Sequence, residues 1–592
     1  MSTFVVEQDR FTLDGKEWKL VSGAMHYFRI VPEYWEDRLQ KLREMGCNCV
    51  ETYIAWNLHE KEEGKFTCSG GLDFSRYLKQ AQEAGLYAIV RPGPYICSEC
   101  DMGGLPWWLL RYEEIELRTY NAIFLEKTEN YLRKVCEILR PHLITNGGNV
   151  VLLQIENEFG SYGDDKNYLR ALVRCYEKNG MDVPYITSDG DNAAMLARGT
   201  VPGIYAAANY RWDSVAAMRA LKKFQPDKPG AVMELWNGSA IHCGKKLVKR
   251  DLKEVEYSVK SALENTALMN LYMFHGGTNF GFFNGSLYYD GRFTVQATSY
   301  DVQAPLNEYG GKTEKYYAEQ KILCAYLGKE IVNETEEPVL ADYGEATLRG
   351  VCALEEVFSP PPLYSEELLS MEECGQGYGY IEYKTRFTSG AMGVMIGYPE
   401  IRDLAQVYID GRYCTTVRRG EAVRGDFAVG AGEHELCFFV ENMGRIHYGP
   451  HLKDRKGLLG RAVLFDKETQ KHQTLKNWSV RCYPFATVSG PEATLLRGAP
   501  EENKPYLYVY EIDLNPSGDT YLETKGFYRG VAFVNGFPLG RHMAEGPQKS
   551  LYVPQPVLRK GKNEILIFEM KSSAAGRRAI LSGKQILEGY TE

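Results

Sequence analysis

The chain has 592 residues, too many for one ordinary domain; at about 150 residues per domain the length suits roughly four units, or three if one is an α/β barrel. With 44% hydrophobic and 25% charged residues it can build packed cores, and no apolar run approaches the ~18 residues of a membrane-spanning helix. A net charge of −9 without a basic stripe argues against nucleic acid as a ligand. The first ten residues include acids and have no apolar core behind them, so they do not read as a secretion signal and the expected compartment is the cytoplasm.

From residue 19 to about 330, short β-rich runs alternate with amphipathic stretches. The runs fall at 19–28, 49–56, 87–93, 150–158, 185–189, 204–210, 231–236 and 269–275. Helices are expected at 34–45, after Pro32 and stopped by Gly46, and at 73–84, capped by Asp73 and stopped by Gly85. Further helices are expected at 119–139, 166–178, 214–224, 252–264 and 315–327. Eight strands alternating with helices over about 300 residues fit a (β/α)8 TIM barrel. A doubly wound sheet would want a glycine-rich phosphate loop after an early strand, and neither GxGxxG nor GxxxxGK[ST] occurs.

Beyond about residue 340, short alternating runs bounded by Gly, Asn and Asp replace the helices. VYIDGRYCTTVRR (407–419) and AFVNGFPLGRHM (532–543) share one plan: a strand, a tight Asp-Gly or Asn-Gly turn, then a second strand. They imply two related β-sandwich, jelly-roll-like modules, with the Pro-rich SPPPLYSEE (359–367) as connector. The expected division is a catalytic barrel over 1–335, a linker with the first strand of the β region over 336–375, one β-sandwich over 376–490 and a second over 491–592. The modules should pack on the barrel and shape its rim or a homodimer contact.

Fourteen cysteines are far below the density of a disulfide scaffold, and most lie in apolar segments. Cys97-Ser98-Glu99-Cys100 has no second CxxC or nearby His pair to complete a zinc site, so its thiols are expected to be buried or in a pocket wall. No metal or cofactor is expected.

In a (β/α)8 barrel the reactive groups come from the carboxyl ends of the strands. Glu156, Asn157 and Glu158 end the fourth expected strand, and Glu234 ends the seventh. Acids in a partly desolvated barrel mouth are costly unless used. Two strand-end glutamates among Tyr53, Trp56, Tyr95, Trp107, Trp108 and Trp236 are the equipment of a glycosidase. One carboxyl gives a proton to the leaving oxygen while the other stabilises or attacks an oxocarbenium-like carbon.

The chain resembles the family 35 glycoside hydrolases, the β-galactosidase family, over nearly its whole length. The resemblance rests on SGAMHYFRI (22–30), ETYIAWNLHE (51–60), RPGPYICSECDMGGLPWWLL (91–110), LLQIENEFGSYG (152–163), LYMFHGGTNFGFFNG (271–285) and TSYDVQAPL (298–306). VENMGRIHYGP (440–450) and GPQKSLYVPQPVL (546–558) resemble the family's β modules, the last of them a galactose-binding-like jelly roll. The resemblance implies a retaining exo-β-galactosidase acting on β-galactoside oligosaccharides or glycoconjugates, with Glu158 as acid/base and Glu234 as nucleophile. It also implies substrate contacts from Tyr53, Cys97, Glu99, Asn157, Tyr272 and Tyr300.

Chemistry gives those residues tasks. Asn157 can bond the sugar 2-OH, Glu99 can accept from hydroxyls of the non-reducing sugar, and Tyr300 can bond the Glu234 carboxylate while burial holds Glu158 protonated. His26 and His59 are expected behind the ligands. Three segments depart from the family pattern: Leu235 to Ala240 after the seventh-strand glutamate, Val302-Gln303 where Tyr-Asp is usual, and Cys100 where Trp is common. They are expected to line the pocket and to bear on which sugar is taken. The alternatives are another β-glycosidase or transglycosylase of the same fold, or a catalytically silent carbohydrate-binding protein.

Overall fold

A computed structural model describes residues 2–485, 488, 500–573 and 576–591. A small antiparallel meander (Phe4–Val6, Phe11–Leu13, Lys16–Trp18) leads into eight parallel strands: β1 (Leu20–Met25), β2 (Cys49–Tyr53), β3 (Tyr87–Arg91), β4 (Val150–Gln154), β5 (Tyr185–Gly190), β6 (Tyr205–Asn209), β7 (Ala231–Trp236) and β8 (Leu268–His275). Their order is β7-β8-β1-β2-β3-β4-β5-β6. The ring closes through Tyr210, whose N–H donates to the Glu234 carbonyl (3.2 Å) and whose carbonyl accepts from the Trp236 N–H (3.1 Å). The strands are buried along almost their whole length, which is why they read as continuous apolar runs rather than alternating ones.

Each strand is followed by a helix: α1 (Trp35–Glu44), α2 (Phe74–Glu83), α3 (Ala122–Leu139), α4 (Lys166–Lys178), α5 (Ala193–Gly199), α6 (Ser214–Leu221), α7 (Leu252–Asn265) and α8 (Glu314–Leu327). Side chains of Asp73, Asn121, Asp165, Asp213, Asp251 and Thr313 accept first-turn N–H groups, so the starts were written into the chain as caps. Only α5 escapes the sequence periodicity, because seven residues span two turns. The barrel expectation is met.

The second half forms two sandwiches. One packs a six-stranded sheet (Leu363–Ser365, Trp478–Tyr483, Tyr380–Ser389, Gly432–Glu441, Leu404–Ile409, Arg412–Arg418) on a four-stranded sheet (Arg424–Phe427, Val394–Gly397, Val463–Asp466, His472–Thr474). The other packs a five-stranded sheet (Thr347–Ala353, Tyr506–Leu514, Gly561–Glu569, Arg529–Val534, Phe537–Met543) on a four-stranded one (Gly344–Glu345, Ile580–Ser582, Thr520–Glu523, Ser550–Val553). The two look-alike hairpins occupy equivalent places, and their turns, Asp410-Gly411 and Asn535-Gly536, have φ of 50°, 73°, 51° and 80°. Positive φ at both central residues is the twist-matched hairpin turn.

The chain visits the distal sandwich first. Thr347–Ala353, within the stretch expected to link the domains, pairs with Tyr506–Leu514, and only Leu363–Ser365 joins the nearer sandwich through Trp478–Tyr483. The expected border at 490/491 lies outside the described residues. Tyr380, Leu404, Phe439, Val531, Phe533 and Phe568 form a shared apolar core between the sandwiches.

The barrel is tied to both. Arg445 donates its N–H to Asp101 (2.6 Å) and places its guanidinium between Asp101 (3.3 Å) and Glu372, all three fully buried. Arg541 of the distal sandwich donates to Asn284 (2.6 Å), and the Ser299 N–H donates to Gln548 (3.0 Å). Breaking one partner out of such a buried charged group costs about 3–5 kcal/mol.

Candidate active site

The carboxyl ends of the barrel strands open into a cavity of about 740 Å3. Glu158, Glu234, Cys97, Glu99, Tyr272 and Tyr300 line it together. The loops that present them are locally strained. Cys97, Ser98 and Glu99 run left-handed in succession (φ 55°, 51°, 49°), and Glu156, Glu158, Val302 and Gln303 are also left-handed. Non-glycine residues rarely occupy that region, and when held there by their surroundings they cluster at functional sites.

Glu234 sits near the end of β7 and faces three donors. Its Oε1 accepts from the Tyr53 hydroxyl (2.9 Å) and Arg91 Nη2 (2.7 Å), and its Oε2 accepts from Trp236 Nε1 (3.0 Å). Tyr53 and Arg91 are the last residues of β2 and β3, so adjacent strand ends aim both at one carboxylate. Arg91 also lies over the Tyr53 ring at 3.9 Å and 3.7 Å from Glu51.

Glu158 has different surroundings. Its backbone N–H is fixed to the Ser188 carbonyl (2.9 Å), and its Oε1 accepts one hydrogen bond, from Asn209 Nδ2 at 3.2 Å. Burial, and secondly the charge of Glu234, push its carboxyl up to about 8, so it holds its proton at neutral pH. Glu156, two residues earlier, is spent on structure: it takes both arms of Arg118 (2.9 and 2.8 Å) and the Tyr168 hydroxyl (2.9 Å). The two glutamates of the ENE motif thus part company, one locked in an ion pair and one open to the cavity.

The remaining expected site residues divide. Asn157 is buried next to Glu158 in the chain: Arg91 and Gln154 Nε2 (3.1 Å) donate to its Oδ1, leaving its Nδ2 without a partner among the described residues. Tyr53 is likewise fully buried and engaged with Glu234. Tyr300 does not bond Glu234 as expected; its hydroxyl donates to Glu99, because the loop after β3 brings Glu99 under the ring while Tyr53, Arg91 and Trp236 already surround Glu234. Burial raises the Glu99 carboxyl above its ordinary range, and the Tyr300 hydrogen bond opposes the rise. Arg29 packs on the outer Tyr300 face at 3.9 Å.

The departing segments have distinct fates. Gly238 and Val302 reach the cavity wall, and they are matched, since a Cβ on Gly238 would lie 1.7 Å from the Val302 carbonyl oxygen. Gln303 turns away: its Nε2 donates to the Val248 carbonyl (2.8 Å) and its Oε1 accepts from the Arg250 N–H (3.3 Å). Cys100 is also off the wall, fully buried with its Sγ toward the Cys97 carbonyl (3.2 Å). His26 is buried behind Tyr53, bonded to Arg29, and His59 bonds the Tyr27 hydroxyl and the Thr67 carbonyl.

Sequence reasoning missed Arg91, Trp236 and Asn209 as partners of the two carboxyls. Arg91 had a signal, a charge closing an otherwise apolar barrel strand. It also missed His447 and Tyr448, which the nearer sandwich inserts into the cavity wall. The segment 440–450 that holds them resembles the family's β modules, but it does not place them at the cavity, because their place depends on how the sandwich docks.

Comparison with known proteins decides the family. The glycosyl hydrolases family 35 profile matches residues 10–326, and profiles described as the β-galactosidase first all-beta domain and galactose-binding domain match 369–485 and 505–563. The chain belongs to glycosyl hydrolase family 35. This family 35 chain is 37% identical over 566 residues to a β-galactosidase of Xanthomonas manihotis, covering 93% of this chain and 91% of that one. It is 33% identical over 614 residues to β-galactosidase 17 of Arabidopsis thaliana (96% and 87% covered) and 34% identical over 578 residues to human β-galactosidase-1-like protein 3 (95% and 86% covered). The protein is a glycoside hydrolase, and the cavity at its barrel mouth is lined by both Glu158 and Glu234.

Proposed function

We propose that this hydrolase is a retaining, exo-acting β-galactosidase in which Glu234 attacks the anomeric carbon and Glu158 is acid and then base. One observation carries the assignment: the two carboxyls sit in opposite settings. Glu158, buried and beside a second carboxylate, is kept protonated, as a group that must donate to a leaving oxygen requires. Glu234 accepts from three donors, one of them a guanidinium, which orient it; its Oε2 accepts only from Trp236 and keeps a lone pair for attack.

In the first step Glu234 forms a glycosyl ester as the leaving oxygen takes the Glu158 proton. In the second, Glu158, now a carboxylate, removes a proton from water as that water breaks the ester. The free Nδ2 of Asn157 suits the sugar 2-OH, and Glu99, steadied by Tyr300, suits hydroxyls at the non-reducing end. Galactose is favoured by the activity that the relatives' names carry. Gly238 and Val302 share the cavity wall with Trp236 and with polar Asn192, Arg211 and Ser239, a lining that departs from the family pattern at 302, and plain lactose should be a poor substrate beside a preferred linkage.

A panel of nitrophenyl glycosides tests the reading. Preference for β-galactoside supports it; preference for β-glucoside or β-glucosaminide would move the sugar while sparing the two-glutamate chemistry. Inertness on the whole panel would favour a silent carbohydrate-binding protein.

A further inference from the structure

The sugar cavity contains a second chemical feature that the two-glutamate reaction does not use. Cys97 Sγ, a carboxylate oxygen of Glu99 and a ring nitrogen of His447 all lie within 4.8 Å of one another. They come from two parts of the fold, the strained loop after β3 and the loop of the nearer sandwich that reaches over the cavity. Cys97 and His447 are buried, and His447 Nδ1 has no hydrogen-bond partner among the described residues. The His447 backbone is pinned on both sides, its N–H donating to the Ser286 carbonyl (2.8 Å) and its carbonyl accepting from the Tyr95 hydroxyl (2.5 Å). Glu99 is pinned in turn by the Tyr300 hydroxyl. Three donors, one from a thiol, one from an imidazole and one from a carboxylate, are therefore held near one another by the surrounding structure.

We propose that Cys97, Glu99 and His447 form a site for one zinc-class divalent cation, and that the bound cation excludes the sugar. The donor set chooses the metal: thiolate and imidazole suit zinc and cadmium, whereas magnesium and calcium want oxygen alone. Bonds of about 2.0–2.3 Å in a tetrahedron put ligand atoms roughly 3.3–3.8 Å apart, so donors that lie within 4.8 Å of one another need to close by at most about 1.0–1.5 Å. All three residues line the cavity.

Binding releases the Cys97 proton to solvent, and the thiolate with the Glu99 carboxylate balances the ion's two charges. That balance is needed, because Arg29 adds positive charge felt by both Glu99 and His447, although its guanidinium is committed to Ser98, His26 and Asn279. Exclusion of sugar rests on the proposed role of Glu99 as a hydroxyl acceptor; metal binding does not. The cation would make the hydrolase sensitive to free zinc through a residue pair, Cys97 and His447, outside its two catalytic carboxyls.

The test is a cadmium titration of the full-length protein, following thiolate-to-cadmium charge-transfer absorption, alongside zinc inhibition of galactoside hydrolysis. The wild type should bind one cadmium, and isopropyl thiogalactoside should weaken that binding in proportion to its concentration. Cys97→Ser should abolish the band, and His447→Asn should weaken cadmium binding by at least about tenfold, since even partners outside the coordination shell are worth about 10–100-fold. His447→Gln serves as a second variant, with near-ultraviolet circular dichroism showing that each is folded. A band that survives Cys97→Ser, or an affinity unchanged in both folded His447 variants, overturns the site. Binding indifferent to saturating thiogalactoside overturns the exclusion. If cadmium binds as described but no galactoside is hydrolysed, the galactosidase reading fails and the metal site stands.

Discussion

Replacing Glu234 with Gln removes the charge beside Glu158 while keeping the side chain's shape, and the effect on Glu158 can be sized in advance. Burial is the larger cause of its raised pKa, about 8, and the Glu234 charge is the second. Two carboxylates at the about 5.5 Å that the proposed retaining mechanism requires, in surroundings of effective dielectric about 20, repel by about 3 kcal/mol, or about two pH units. Glu158 in Glu234→Gln should therefore titrate about two pH units lower than in the wild type, and still above the ordinary carboxyl value of 4.5 because burial remains. Carbon-13 NMR of δ-labelled glutamate, with Glu158→Gln to assign the resonance, reads both values. The sign matters for activity too: in its proposed role as acid Glu158 must carry its proton, so wild-type kcat/KM on poor leaving groups should hold below about pH 8 and fall above it. A change under half a unit, or a rise, would mean that the two carboxyls do not face each other and would refute the reasoning.

Glu234→Gln should lose nearly all turnover on every substrate, whereas Glu158→Gln should keep more activity on dinitrophenyl than on methyl galactoside. Azide should rescue an alanine at 158 as the β-glycosyl azide and at 234 as the α, and rescue with the same anomer at both sites would contradict the roles. A chain ending near residue 335 should be insoluble or poorly folded, since Asp101 loses Arg445 and the docking face is bared; light scattering and circular dichroism check this, and a soluble, fully active fragment would show the sandwiches to be dispensable. Val302→Tyr, which puts a phenol back on the wall, should shift relative kcat/KM among nitrophenyl sugars by about 1–2 kcal/mol; unchanged ratios would show that position 302 does not meet the sugar.

The barrel was legible because its strands are buried on both faces and its helices carry caps and glycine stops, so runs such as 150–158 and caps such as Asp73 stand out in the chain. The two glutamates followed from strand ends. What distinguishes Glu158 from Glu156 was carried by the family resemblance and is explained by Arg118, whose approach from the loop before α3 no local pattern reveals. Tyr300 was paired with the wrong carboxylate for a similar reason: the reach of a loop depends on which donors have already filled the space around Glu234. The order of the β strands was least legible, because Thr347–Ala353 finds its partner some 150 residues on, and alternation gives a strand its face but not its neighbour. His447 and Tyr448 belong to the same class, placed by domain docking alone.

The central claim is that Glu234 forms a bond to the sugar. Proton NMR of the first product released from a nitrophenyl β-galactoside tests it directly. Nucleophilic attack by Glu234 followed by water gives net retention, so the β-anomer should appear first and the α-anomer only by later mutarotation. Initial release of the α-anomer would mean a single inversion, with Glu234 acting on water rather than on the sugar, and would contradict the account.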